Sequence, residues 1–240
     1  MADLQYRPQA DLAPDLIKAD LIKRGLSLAN TLDARLQAVR VATSLILPDP
    51  LFSGDPAWAK VWLKRGLSKY YQGNYPGAIQ NFQLALEKSP RLLAAYNGLG
   101  SAHYKLREFS VAQRFYAQAI KLAPKQAILY CNYASNQHQL GDLAGAIESY
   151  QRAIQLSPRL GTAFYGLGVA FAQHRSYGEA FLAFQKALVL MPDHAPSYYG
   201  LGLVQYYQGQ VHEAVAAFKE SMLIDPIYMT AYQTLIESLN

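Results

Sequence analysis

Residues 82–100 read FQLALEKSPRLLAAYNGLG, and the pattern of this stretch returns along the chain. Its first half closes on a proline: ALEKSP at 85–90, AIKLAP at 119–124, AIQLSP at 153–158, ALVLMP at 187–192 and SMLIDP at 221–226. Its second half opens on an aromatic: YNGLG at 96–100, YCNYA at 130–134, FYGLG at 164–168 and YYGLG at 198–202. Six prolines (Pro56, Pro90, Pro124, Pro158, Pro192 and Pro226) stand at one interval of 34 residues. A fixed period of this length marks units that cannot bury an apolar face alone and do so by stacking on their neighbours.

Each unit reads as two helices. Phe82, Ala85 and Leu86, like Phe184, Ala187 and Leu188, have the spacing of one helical face. The proline cannot continue the helix before it. Gly73, Gly141 and Gly209 fall at the turn between the two helices, where a left-handed backbone costs glycine little. Arg107 and Arg175 take that place in the second and fourth units, where the turn is expected to be either ordinary or slightly strained.

With the proline set at position 32, other columns align. The first aromatic is Trp62, Tyr96, Tyr130, Phe164, Tyr198 and Tyr232; the small residue four later is Gly66, Gly100, Ala134, Gly168 and Gly202. The second helix carries Ala78, Ala112, Ala146, Ala180 and Ala214, then Phe82, Tyr116, Tyr150, Phe184 and Phe218. A further small column is Ala85, Ala119, Ala153, Ala187 and Ser221. Large rings on one helix need small residues on the next for the backbones to approach. This set of columns resembles the tetratricopeptide repeat family. The resemblance implies an all-α, right-handed superhelix of helix–turn–helix units, acting without catalysis in protein binding. Five repeats are expected at 59–92, 93–126, 127–160, 161–194 and 195–228, with a capping helix at 229–240, inside an array spanning 56–240. Arg65, Lys69, Tyr133 and Gln137 depart from the family's residue types.

Residues 1–55 do not join the pattern. Their register places Arg35 at an aromatic column and Ser44 at the alanine. From Asp15 to Leu47 the apolar residues keep helical spacing, and the segment is expected to be a helical extension that caps the first repeat. Dimerisation or lying on a membrane surface are its alternatives; the seven acids against six bases of residues 1–55 weigh against the membrane.

Composition narrows the function classes. The 240 residues are 51% apolar, enough for a core, and no apolar run has the length of a membrane-spanning helix. The N-terminus lacks the basic start and apolar stretch of a signal peptide. A soluble protein of the cytoplasm, or of an organellar stroma-like compartment, is expected, and a bacterial one, or an organellar one of bacterial type, is favoured. Cys131 is the single cysteine, the histidines form no HExxH pair, and no Ser–His–acid arrangement stands out. The expectation is no catalytic residue, no metal site and no cofactor. The Gly98-Leu99-Gly100 type of triplet recurs on the repeat period inside a helix, so it is packing rather than a phosphate loop.

The resemblance implies that first helices line the inner face, at positions 2, 5, 6, 9, 12 and 13. From these the candidate partner-binding groove is drawn: Lys60, Lys64, Tyr70, Tyr71, Asn97, Tyr104, Lys105, Asn132, His138, Gln139, Tyr165, Gln173, Tyr199, Tyr206 and Tyr207. Tyrosine gives rigid, amphipathic contact area, and amides grip a peptide backbone. Gly98, Gly166 and Gly200 are expected to leave the floor of this groove open. The family's carboxylate clamp for heat-shock chaperone tails would need Lys and Asn residues where Leu63, Leu67, Gly98 and Ile128 stand, so that partner is disfavoured. Residues 57–90 and 91–124 each carry five bases and one acid, whereas 193–240 carries one base and five acids. A protein or peptide partner, acidic near the first two repeats, follows. Nucleic acid is the weaker polyanion, because the bases do not interleave with aromatics in one run.

Overall fold

A computed structural model of the chain describes residues 57–230 and 232–233; the N-terminal extension lies outside them. The described residues belong to one compact unit. They form ten α-helices and no strand: α1 (Ala57–Tyr71), α2 (Tyr75–Lys88), α3 (Leu93–Lys105), α4 (Phe109–Leu122), α5 (Ala127–Gln139), α6 (Leu143–Leu156), α7 (Gly161–Gln173), α8 (Tyr177–Leu190), α9 (Ala195–Tyr207) and α10 (Val211–Ile224). A 3₁₀ turn at Pro226–Tyr228 follows, and the next described residues are helical. Each odd-numbered helix and its successor make one repeat.

The turns inside the repeats share one hydrogen-bond pattern. In the first, the Gly73 N–H donates to the Tyr70 carbonyl (3.0 Å) and the Asn74 N–H to the Lys69 carbonyl (2.9 Å). The same pair recurs at Arg107–Glu108, Gly141–Asp142, Arg175–Ser176 and Gly209–Gln210. This is the Schellman arrangement, and it requires a left-handed residue at its centre. Gly73, Gly141 and Gly209 have φ of 77°, 81° and 78°, and Arg107 and Arg175 are held at 62°. Of the two expectations for these arginines, the strained one holds: the hydrogen bonds fix the turn whatever residue occupies it. Asn74 and Asp142 then cap the following helices, each accepting a 2.9 Å bond from the N–H three residues on.

The turns between repeats follow from the proline. Ser89, Ala123, Ser157 and Met191, each just before it, have extended φ between −139° and −143° while donating back to the helix they end. Proline pushes the residue before it out of the helical region. The Tyr96 and Tyr130 hydroxyls then donate to the carbonyls of Pro90 and Pro124, both at 3.1 Å, tying the next first helix to that turn.

The core is a row of rings between small residues. Phe82 and Phe184 are buried to within 1% of full coverage, and Ala78, Ala85, Ala112, Ala119, Ala146, Ala153, Ala180, Ala187 and Ala214 have no exposed surface. A Cβ built on Gly66 would come within 2.6 Å of the Phe82 ring, and one on Gly98 within 2.7 Å of the other edge of the same ring. Phe184 sits likewise between Gly168 (2.9 Å) and Gly200 (2.5 Å). The glycine at position 8 receives the ring of its own repeat, and the glycine at position 6 receives the ring of the repeat in front. This corrects the expectation of an open groove floor at Gly98, Gly166 and Gly200: the space above each is filled from behind by an aromatic side chain.

A second pairing runs through the same slot. Where the ring is tyrosine, position 9 is serine: the Tyr116 hydroxyl donates to Ser101 Oγ (3.3 Å), and the Tyr150 hydroxyl meets Ser135 Oγ (3.1 Å). Where the ring is Phe82, Phe184 or Phe218, position 9 is Leu67, Val169 or Leu203. A buried hydroxyl requires a partner and a buried ring edge does not. The third repeat's departures from the family are explained in the same way. Gln137 is buried, donates to Asp142 Oδ2 (3.1 Å) and accepts from Ser149 (2.6 Å), while the Tyr133 hydroxyl accepts from Gln113 (3.2 Å).

Two stability tests follow. Arg175→Gly should stabilise the protein by about 1 kcal/mol, because a left-handed residue with a side chain is strained by about that much. Gly141→Arg should lose a similar amount, although nothing lies within 4 Å of a Cβ there. Urea midpoints that move the other way would contradict the strain account. Gly166→Gln should destabilise by about 1–3 kcal/mol, since its Cβ runs into the Tyr150 ring. Gly178→Ala, in the first turn of α8 with open space around it, should be neutral or slightly stabilising.

Candidate functional site

First helices contact first helices along the array, α1 with α3, α3 with α5, α5 with α7 and α7 with α9. Among the described helices, second helices make no comparable contact with one another. The first helices therefore stand on the tighter, inner side of the stack. The candidate groove residues all lie on this row.

The row does not present them equally. Tyr165 and Tyr199 are 6% and 4% exposed. Tyr165 meets His194 edge-on at 4.9 Å and tilts against Phe184 at 6.1 Å; Tyr199 packs on Phe218 (5.3 Å) and Tyr228 (5.1 Å). These contacts place both tyrosines in the core, although they were drawn above as groove residues. Position 5 of a first helix faces along the stack as well as inward, so a large side chain there is gripped between repeats. Asn97 and Asn132 are buried too, and the Asn132 amide donates to Asn97 Oδ1 at 2.9 Å. That bond joins the second and third repeats. Cys131, beside them, is 1% exposed.

The surface that remains lies toward the two ends. At the N-terminal end Lys60 and Lys64 are exposed, and Tyr70 packs edge-on against Tyr71 (5.7 Å) and Tyr75 (5.4 Å). Burial pushes the Tyr70 hydroxyl well above its usual pKa, with Tyr75 adding to it, and burial raises Tyr71 as well. Both phenols remain neutral donors at physiological pH. Tyr104 and Lys105 are half-buried, with Tyr104 edge-on to Phe109 at 5.4 Å. At the C-terminal end Tyr206 meets Tyr207 at 6.1 Å, and Tyr207 lies flat on Tyr177 at 5.0 Å and 7°. Between the ends stand His138, Gln139 and Gln173, all half-buried. Burial holds His138 below the usual histidine pKa, with the Gln173 amide offsetting part of that shift, so the imidazole is neutral at physiological pH.

Sequence reasoning missed Tyr75, Phe109 and Tyr177. All three occupy position 17, the first residue of a second helix, and support the tyrosines of position 12 or 13. Their signal was present as an aromatic that recurs on the 34-residue register. Nowhere on the inward positions of the five repeats is there an aspartate or glutamate. Among the described residues no three His, Cys, Asp or Glu side chains are grouped to hold a metal, and no helix is long and apolar enough to cross a membrane.

Comparison with known families matches residues 66–106 and 136–174 to a TPR repeat, and residues 93–126 and 195–228 to a tetratricopeptide repeat. The chain belongs to the tetratricopeptide repeat family. Among curated proteins, none is a significant sequence match. Solved structures share the fold at low identity. A crystal structure of MamA is 23% identical, covers 70% of this chain and 92% of its own, and superposes with a TM-score of 0.61. YrrB, described as a TPR protein with an unusual peptide-binding site, is 19% identical over 75% of this chain and 98% of its own, with a TM-score of 0.59. PilW, a widely conserved type IV pilus biogenesis factor, is 19% identical over 70% and 78%, with a TM-score of 0.66. At these identities the likeness establishes a helical repeat superhelix and no more.

The two classes of inward tyrosine should separate in stability measurements. Tyr165→Ala should cost about 3 kcal/mol or more, as for a buried aromatic truncated in a core. Tyr71→Ala, 44% exposed, should cost about 1 kcal/mol or less. Equal shifts in the urea midpoint would show that the inward row is not divided in this way.

Proposed function

We propose that the protein is a non-enzymatic interaction scaffold, or an assembly factor, that holds a peptide or protein segment along the inner row of first helices. One observation carries the reading: among aliphatic and small side chains, the row leaves Tyr70, Tyr71, Tyr104, Tyr206 and Tyr207, the amides Gln139 and Gln173 and the basic Lys60, Lys64 and Lys105 at least partly exposed, and no inward position is acidic. Such a surface has contact area, hydrogen-bonding capacity and one sign of charge. The structural likeness to YrrB, solved with a peptide-binding site, and to the biogenesis factor PilW supports the same class of role.

The contact surface is made by Lys60, Lys64, Tyr70 and Tyr71 at one end, Tyr104, Lys105, His138, Gln139 and Gln173 in the middle, and Tyr206 and Tyr207 at the other. Tyr165, Tyr199, Asn97 and Asn132 shape that surface from beneath. A ligand with carboxylates toward the first two repeats and apolar side chains toward the last fits it in one direction. The protein acts on this reading in the cytoplasm or a stroma-like compartment.

The test is affinity capture by the full chain from a source extract, quantified by mass spectrometry against a Tyr206→Ala variant of unchanged melting temperature. The partner enriched by the wild type should fall about tenfold or more with the variant, the effect of losing one contributing aromatic. Charge reversal at Lys60, Lys64 and Lys105 should slow association with that partner and flatten its salt dependence. If capture survives both changes, the inner row is not the site. Recovery of nucleic acid in place of protein would favour a polyanion binder.

A further inference from the structure

Three register positions, one just before each later first helix and two within it, pack toward the repeat in front, and they are covered most fully at the start of the second and fifth first helices. In the second repeat they are Leu92, Ala95 and Leu99, at 4%, 0% and 0% exposed. In the fifth, His194 and Ser197 are at 6% and 0%, and Tyr228 continues the series at 2%. The 34-residue register carries these positions back to Trp58, Val61 and Arg65 on α1. There the covering stops: Trp58 is 65% exposed, Val61 38%, and Arg65 is exposed, its guanidinium over the Trp62 ring at 5.0 Å. Among the described residues, the face that the later repeats turn toward their predecessors is therefore uncovered on α1, and a tryptophan leads it.

The sign of charge selects what fits this face. Helix α1 carries Lys60, Lys64, Arg65 and Lys69 and no acid, so a second α1 laid on it would set like charges together. Residues 193–240 are the acidic part of the chain, with five acids and one base. Their described portion places Glu220 and Asp225 close in sequence to exposed apolar side chains: Ile224 at 38%, Ile227 at 43% and Met229 at 44%. Basic charge beside Trp58 and Val61 thus has its counterpart at the other end of the array.

We propose that the α1 face docks the C-terminal end of a second copy of this chain, so that copies associate head to tail. Trp58 and Val61 cover Ile224, Ile227 and Met229, and Arg65 and Lys69 face Glu220 and Asp225. The two surfaces differ, so the contact is heterologous and each copy keeps one free end unless the assembly closes. Arg65 and Lys69 are not inward positions, so the proposal is independent of the inner-row reading.

Sedimentation of the full chain over a range of concentrations, in about 50 mM and about 500 mM salt, tests it. Association should grow with concentration and weaken at the higher salt. Trp58→Ala with Val61→Ala should weaken it about tenfold or more without lowering the melting temperature. Arg65→Glu and Glu220→Lys should each weaken self-association, and mixing the two variants should restore a complex between them. Association unchanged by the Trp58 and Val61 substitutions would overturn the proposal. So would a chain that stays monomeric throughout while those substitutions lower its melting temperature; the face would then be covered from within the chain, as the expected cap would do.

Discussion

One contact recurs through the array and constrains almost everything else: an aromatic ring on a second helix packed against small residues of the first helices, with glycines of two repeats on either side of Phe82 and Phe184. Burying such a ring contributes about 1.5–3 kcal/mol, and the slot is too narrow for a Cβ beside Phe82 or Phe184 on either side. The ring belongs to one repeat, and the second wall of its slot belongs to the next. A single interaction thus closes the helix pair within a repeat and stacks that repeat on its neighbour. The alanine columns at Ala78 and Ala85 and their equivalents are the same requirement seen from the second helix.

That slot also limits the surface left for binding. Positions 5 and 6 of the first helices, which geometry alone would count as inward, are partly claimed by stacking. Tyr165, Tyr199 and the Asn97–Asn132 amide pair join neighbouring repeats. The inward positions that stay partly exposed are at the helix ends, where Tyr70, Tyr104 and Tyr207 rest on aromatics from the second helices and Tyr206 meets Tyr207. On the proposed function, such a rim would lose little entropy on binding, because its side chains are already held.

Charge is distributed along the same axis. The basic repeats come first and the acidic ones last, and the inward positions carry bases at one end and uncharged aromatics toward the other. A repeat array is close to one-dimensional, so a gradient of this sort becomes a direction for whatever lies along it or at its ends.

The sequence by itself determined the repeat, its period, the helix pairs and the turns. Each of these is local or recurs in register: Pro90 ends a helix where it stands, and Gly73 marks a left-handed turn; that Arg107 and Arg175 take the same conformation was left open by the sequence and decided by the turn's hydrogen bonds. The tyrosine–serine pairing of Tyr116 with Ser101, and the aromatics of position 17, were also written in the columns, but as correlations between columns rather than within one. Only the tertiary structure decided what the inward residues face. Gly98 and Gly166 looked like an open floor because no sequence column says which neighbour fills the space above a glycine, and the rings of Phe82 and Tyr150 fill it from the repeat in front. The same holds for Asn97 meeting Asn132 and for Tyr207 lying on Tyr177. Such contacts depend on the angle at which one repeat stacks on the next, and a period of 34 residues fixes the spacing of the units without fixing that angle.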